Sequence, residues 1–138
     1  MEYNIEVTDQ RGDEDSLIWN HLYQFNMQFT EDDQHTLMGV FARNDAGELI
    51  GGLLGETYWL WLHINILWVH ENHRRNGIGK QLMARAEAEA IQRGCRHAYL
   101  DTLEFQAPDF YSKLGYSVWG VLDDFPPGHR RIFFKKDL

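Results

Sequence analysis

Cysteine is almost missing from this chain: Cys95 is the only one among 138 residues. A single thiol excludes an intrachain disulfide and any zinc site built on several cysteines, and it fits a reducing compartment. Long apolar runs are missing too. No window approaches the roughly 20 residues of a membrane-spanning helix. The opening MEYNIEV has neither the basic region nor the apolar stretch of a secretion signal. A soluble cytoplasmic protein that makes no use of a membrane is expected. Positive charge is in short supply, with 13 Lys and Arg against 21 Asp and Glu and a net charge of −8. That balance argues against broad nucleic-acid binding and mildly favours a cationic partner. Internal repeats and low-complexity tracts are absent as well. What is present, 43% hydrophobic and 14% aromatic residues, describes a packed globule. At this length one sizeable core can form but not two, so residues 1–138 are expected to make a single domain.

The scarce basic residues are clustered. Trp61–Val69 is rich in aromatic, β-branched and leucine residues, the composition of a strand. From Ile78 to Ile91 the apolar Ile78, Leu82, Met83, Ala86 and Ala90 recur at helical spacing, and Gly94 suits a helix stop. Between the two lies His73-Arg74-Arg75-Asn76-Gly77-Ile78-Gly79-Lys80. Two glycines at a helix start let another molecule approach the backbone closely. The first-turn N–H groups there have no intrahelical acceptor, and the helix dipole adds positive potential. With Arg74, Arg75 and Lys80 added in an acidic chain, the loop reads as a site for a phosphate or pyrophosphate. Two other phosphate loops are excluded. Gln81 stands where a P-loop needs Ser or Thr after its lysine, and Arg74 stands where its first glycine belongs. Leu82 stands where a dinucleotide fingerprint has its third glycine.

In chain order, Tyr3–Val7 alternates as a short strand. Asp13–Ser16 offers N-cap and acidic first-turn residues for a helix whose face is Ile18, Leu22, Phe25 and Phe29. His21 lies off that stripe, and the polar connection Thr30–His35 is an ordinary loop or a cover for a cleft. Leu37–Arg43 and Leu49–Trp59 are strand-like around the turn Asn44-Asp45-Ala46-Gly47. Gly51, Gly52 and Gly55 in the second run suggest bulges or close approach of another backbone or ligand. Glu56, near its end, is a surface carboxylate or a catalytic base. After the central helix, His97–Thr102 is a strand and Gln106-Ala107-Pro108 opens a short helix that Gly115 ends. Tyr116–Val121 and Arg131–Lys135 are the last strands, separated by a turn at Pro126-Pro127-Gly128. The order implies a mixed α/β sheet.

Arg74-x-x-Gly77-x-Gly79, directly after an apolar strand, resembles the acetyl-CoA-binding signature of the GNAT superfamily of N-acetyltransferases. Ala107-Pro108-Asp109-Phe110-Tyr111-Ser112-Lys113-Leu114-Gly115-Tyr116 resembles a second segment of that family, in the expected order and at about the expected distance. The element order fits over nearly the whole chain. The resemblance implies an α/β fold with a mixed, mostly antiparallel central sheet of about seven strands and helices on both faces. One departure is Glu104, where many members have the Asn that precedes the tyrosine by seven residues.

What the family implies for chemistry falls on particular residues. Arg74, Arg75, Asn76, Gly77, Ile78, Gly79 and Lys80 would hold the pyrophosphate of acetyl-CoA. Leu67 and Val69 would pair with its pantetheine arm at a splayed bulge, and a backbone N–H near Leu67 or Trp68 would polarise the thioester carbonyl. Tyr111 is the candidate general acid, or else a core tyrosine. The acceptor amine must lose a proton, and His63, six residues before Val69, is the first candidate base with Glu56 the second. Strand alternation puts Asn65 on the same face as His63. His70 and His73 flank the loop without further convincing metal ligands, so no metal is expected. Tyr58, Trp59, Trp61 and Trp68 pack in the core or wall the acceptor site. The expected activity is direct transfer of an acetyl group from acetyl-CoA to the primary amine of a small molecule. The same chemistry on a protein N-terminus or lysine is an alternative, and a non-catalytic acyl-CoA sensor is another. For assembly the expectation is a homodimer through the aromatic-rich final strands.

Overall fold

A computed structural model describes residues 1–138, which divide into two units, Met1–Asp32 and Asp33–Leu138. The first unit holds helix α1, Glu14–Asn26, preceded by Asp13 at the cap position, whose side chain makes no capping hydrogen bond. Phe25 and Phe29, four residues apart, bring their rings to 5.4 Å. Tyr3–Val7 is not a strand. Alternation makes extended structure permissible, but a strand persists only on a ladder partner, and this unit contains no other strand.

The second unit is a sheet of six strands rather than about seven. They are β1 Thr36–Arg43, β2 Leu49–Tyr58, β3 Trp61–Val69, β4 His97–Leu103, β5 Ser117–Asp123 and β6 Arg130–Asp137, in the spatial order β1-β2-β3-β4-β6-β5. All neighbours are antiparallel except β3 and β4. Helix α2, Ile78–Gln92, makes the crossover between that parallel pair, and α3, Pro108–Lys113, follows β4. The β1–β2 turn is built as its sequence suggests, with Asn44 Oδ1 accepting from the N–H groups of Ala46 and Glu48 and with Gly47 at φ 82°. The β2–β3 turn carries no such signal. Trp59 and Leu60 both sit at positive φ, 46° and 65°, so β2 ends at Tyr58, one residue before the expected end.

The core lies on one face of this sheet. Leu53, Leu62, Ile64, Ala98, Leu100 and Phe134 meet Leu82, Met83, Ala86 and Ala90 from α2 and Tyr111 from α3, all buried. The apolar stripe read at Ile78, Leu82, Met83, Ala86 and Ala90 is thus the face that α2 turns to the sheet. The opposite face carries Glu56, His63 and Tyr99 in one row, since Glu56 pairs with His63 and His63 with Tyr99.

Two local features position the site. In β2–β3 pairing Leu54 stands opposite Ile66 but Gly55 opposite Ile64, which leaves Asn65 as an extra residue in β3. Gly55 is required there, because a Cβ on it would lie 2.5 Å from the carbonyl oxygen of His63. Further on, β3 pairs with β4 only from Trp61 to Ile64, while β4 continues along β6 to Leu103. From Asn65 onward β3 and β4 diverge, and one edge of β3 is left without a strand partner.

Candidate active site

The divergence opens a cavity of about 850 Å³. The free edge of β3, Asn65 to Val69, forms one wall, and Leu100, Asp101 and Thr102 of β4 form the other. The loop and first turn of α2 close one end through Arg74, Arg75, Gly77, Ile78, Gly79 and Lys80, and Phe110 and Tyr111 of α3 complete the enclosure. Asn76 is the one residue of the basic loop that does not line this space.

The loop has the build of an anion site. A short 3₁₀ turn, Glu71–His73, leads into it, capped by His70 Nδ1 accepting from the N–H of Asn72. Arg74 Nε donates to Val69 O at 3.0 Å, which ties the loop to the end of β3. Arg75 and Gly77 take the left-handed conformation, at φ 67° and 78°. In α2 the first N–H to find a backbone acceptor is that of Gln81, on Gly77 O at 3.0 Å. The preceding N–H groups stand at a positive helix terminus beside two arginines and a lysine. A Cβ on Gly79 would meet the end of the Phe110 ring at 3.4 Å, an ordinary contact distance.

Tyr111 is 8% exposed, with its ring packed against Phe110, Tyr116 and Phe134 at 5.1–6.2 Å. Burial, with a smaller contribution from the charge of Asp101, pushes its phenol above the ordinary tyrosine range. The proton therefore stays on the oxygen throughout the neutral range.

The match to known proteins decides what this loop, strand edge and tyrosine belong to. The pattern of the acetyltransferase (GNAT) family matches residues 3–116. This chain belongs to the GNAT family of acetyltransferases. A blasticidin-S acetyltransferase of Streptomyces morookaense is 42% identical over 100 residues, covering 72% of this chain and 74% of that protein. A streptothricin acetyltransferase of Streptomyces lavendulae is 31% identical over 94 residues, covering 64% of this chain and 48% of that protein. The crystal structure of an acetyltransferase from Bacillus cereus superposes with a TM-score of 0.89 at 36% identity, over 97% of this chain and 98% of that one. The chain is accordingly an acetyl-CoA-dependent N-acetyltransferase.

Within this GNAT enzyme the expected site residues fall into two groups. Leu67, Trp68, Val69, Arg74, Arg75, Gly77, Ile78, Gly79, Lys80 and Tyr111 all line the cavity. His63 and Glu56 do not. They stand on the sheet face opposite α2, where His63 Nδ1 lies 3.3 Å from Glu56 Oε1. Sequence reasoning treated them as competing bases, but the structure makes them a pair. It also missed two neighbours. His35 Nε2 lies 3.1 Å from Glu56 Oε2, and Tyr99 stacks on His63 with ring centroids 4.3 Å apart and 3° between planes. The Tyr99 hydroxyl in turn meets that of Tyr58. The sequence shows His35 only as part of a polar connection and Tyr99 as one more strand residue, because a tertiary side-chain contact joins the first to Glu56 and cross-strand register joins the second to His63.

The Glu56 carboxyl is held below its usual range, chiefly by the hydrogen bond from His35. Burial opposes this, and the bond from His63 adds to it. The arrangement is favourable above the ordinary carboxylate range and is lost as pH falls through the lowered value. Asn65 is the extra residue of the bulge and lines the cavity. Glu104, in the position often held by Asn, accepts from the His129 ring at 3.1 Å. The aromatic cluster also divides: Trp61 lies 5.7 Å from Tyr99 on the His63 face, whereas Trp68 lines the cavity.

Proposed function

We propose that the chain acetylates the amine of a small-molecule acceptor by direct transfer within a ternary complex, and that residues 1–138 act as one domain for it. The observation that carries this reading is the single cavity shared by the basic loop, the unpaired β3 edge and Tyr111. Acetyl-CoA, when bound, supplies an acetyl group activated as a thioester. The residues present fit such a ligand. Unpartnered N–H groups of the loop, with Arg75 and Lys80, suit its phosphates, and the free edge of β3 suits an extended amide-bearing arm.

The remaining roles belong to side chains of this chain. Tyr111 keeps a proton at its hydroxyl for the departing thiolate. His63, with Nδ1 turned to Glu56, has Nε2 free to take the proton that the acceptor amine loses. The names of the two curated relatives point to acceptors of the blasticidin-S and streptothricin kind.

Thiol release from acetyl-CoA in the presence of blasticidin S, streptothricin and a panel of simple primary amines tests the reading. Turnover of at least one small amine is expected, with peptides carrying a free N-terminus or lysine inactive. Peptide turnover alone would move the acceptor to proteins. Tight acetyl-CoA binding by calorimetry with no productive amine would make the chain a sensor.

The basic loop gives a separate prediction. Arg75→Ala and Lys80→Ala each weaken acetyl-CoA binding roughly tenfold, or about 1.4 kcal/mol, for loss of one phosphate contact. Titrations repeated in 1 M salt, where charges are screened beyond about 3 Å, should bring parent and variants together. Undiminished affinity in both variants at low salt would remove the loop from the phosphate site.

A further inference from the structure

The Glu56 carboxylate has a partner on each oxygen. His35 Nε2 approaches Oε2 at 3.1 Å, and His63 Nδ1 approaches Oε1 at 3.3 Å. The two imidazoles come from different elements. His63 is inside β3, stacked on Tyr99, whereas His35 belongs to the short segment just ahead of β1. That segment is itself anchored. The His35 N–H donates to Asp33 Oδ1 at 3.1 Å, the Trp59 N–H donates to Asp33 O at 2.9 Å, and Thr36 Oγ1 donates to Gln34 O at 3.0 Å. A histidine on a surface segment is ordinarily solvated. Here its ring is aimed at the outer oxygen of the carboxylate whose inner oxygen orients a candidate base.

A glutamate on a strand has three side-chain torsions, so one contact to His63 leaves the carboxylate free to rotate or swing to solvent. A second contact, on the other oxygen, removes that freedom. We propose that His35 is a positioning residue: by holding Oε2 of Glu56 it presents Oε1 to His63 Nδ1 and so keeps the His63 ring in the tautomer whose Nε2 accepts the acceptor's proton. This rests on His63 being the base, the reading given above, and it adds a residue outside the sheet ladder to the acceptor side of the enzyme.

The titratable groups around His63 are few. Glu56 faces it from β2 and Tyr99 from β4, with Tyr58 bonded to Tyr99. Asp101 lies two residues along the same strand, and Lys135 of β6 stands opposite Tyr99. Among them only Glu56 bonds to the His63 ring, and His35 is its other partner. The depression of the Glu56 carboxyl, of which His35 is the largest cause, is a second consequence of the same contact.

The test uses the whole chain. His35→Ala and His35→Gln are compared with the parent, with His63→Ala beside them. Readouts are the ring ¹⁵N signature of the His63 tautomer, the Glu56 carboxylate titration by ¹³C NMR, and kcat and KM with the best acceptor of the amine panel. In His35→Ala the Nδ1–H form of His63 should lose its dominance, Glu56 should titrate at higher pH, and kcat should fall roughly fivefold with KM for acetyl-CoA unchanged. Glutamine carries an N–H that can bond Oε2, so His35→Gln should restore the tautomer and most of kcat. A His35→Ala protein with parental tautomer, parental Glu56 titration and parental kcat overturns the proposal, as does a loss that His35→Gln fails to restore. Full activity in His63→Ala alongside a tautomer that still depends on His35 would sink the base assignment and leave the positioning role standing.

Discussion

Tyr111→Phe lowers kcat by about 10²-fold while acetyl-CoA affinity and thermal stability stay close to parental. The expected size is that of one positioned proton donor, for which 10²- to 10⁴-fold is usual. The structure explains why the loss should be confined to turnover. The ring packs against Phe110, Tyr116 and Phe134, and phenylalanine keeps that packing. Tyr111 makes no hydrogen bond within the protein that the substitution would orphan. The pH dependence has a definite sign. Burial raises the phenol above its ordinary range, so Tyr111 carries its proton at every pH from 6 to 9. The ratio of parental to variant kcat should therefore be flat over that interval. A ratio that changes severalfold between pH 6 and 9 would assign the proton to another group, and parental kcat in Tyr111→Phe would return the residue to the core.

Gly55→Ala has the largest expected effect on stability. Its added methyl would stand 2.5 Å from the carbonyl oxygen of His63, a backbone atom that no rotamer change can move away. Either β2 and β3 separate at the bulge or the bulge is lost. The cost of forcing an atom into a packed site is typically 1–3 kcal/mol. For a domain of this size about 3 kcal/mol corresponds to a fall in Tm of about 10 °C. Because the displaced carbonyl belongs to His63 itself, acceptor turnover should drop further than stability alone explains. Gly52→Ala is the control, three residues earlier in the same strand. There a Cβ meets Phe41 and Val40 O at 3.5–3.6 Å, ordinary contact distances, so Tm should move by less than a third as much. Equal melting temperatures for the two variants would mean that the bulge yields freely and does not hold the site.

The two predictions come from different sources of information. Tyr111 was legible because its neighbours Ala107, Lys113, Leu114 and Gly115 form a motif, and the loop from Arg74 to Lys80 was legible because a helix start with glycines and arginines has a local physical meaning. Helix α2 and strand β3 appeared nearly at their read boundaries, since apolar residues at helical spacing and a run of aromatic, β-branched and leucine residues are local signals. Local signals of this kind belong to the sequence itself. Tyr3–Val7 marks where they stop: five alternating residues do not say whether a partner strand exists.

Tertiary structure alone assembled the proposed acceptor side. Asn65 is the extra residue of a bulge in β3 opposite Gly55, and no feature of residues 61–69 read singly says where pairing shifts by one. Glu56, His63 and Tyr99 come from three separate stretches that only β2–β3 and β3–β4 register stacks in one row, and His35 joins them from the segment ahead of β1 through its contact with Glu56 Oε2. Whether Glu56 and His63 compete for a role or share one is a question of which oxygen faces which nitrogen. Sequence by itself thus determined the family, the basic loop at the start of α2 and the proposed proton donor, each written in consecutive residues. The cavity between diverging strands and the paired carboxylate beside it exist only once the sheet has formed, because register and splay are properties of several strands together.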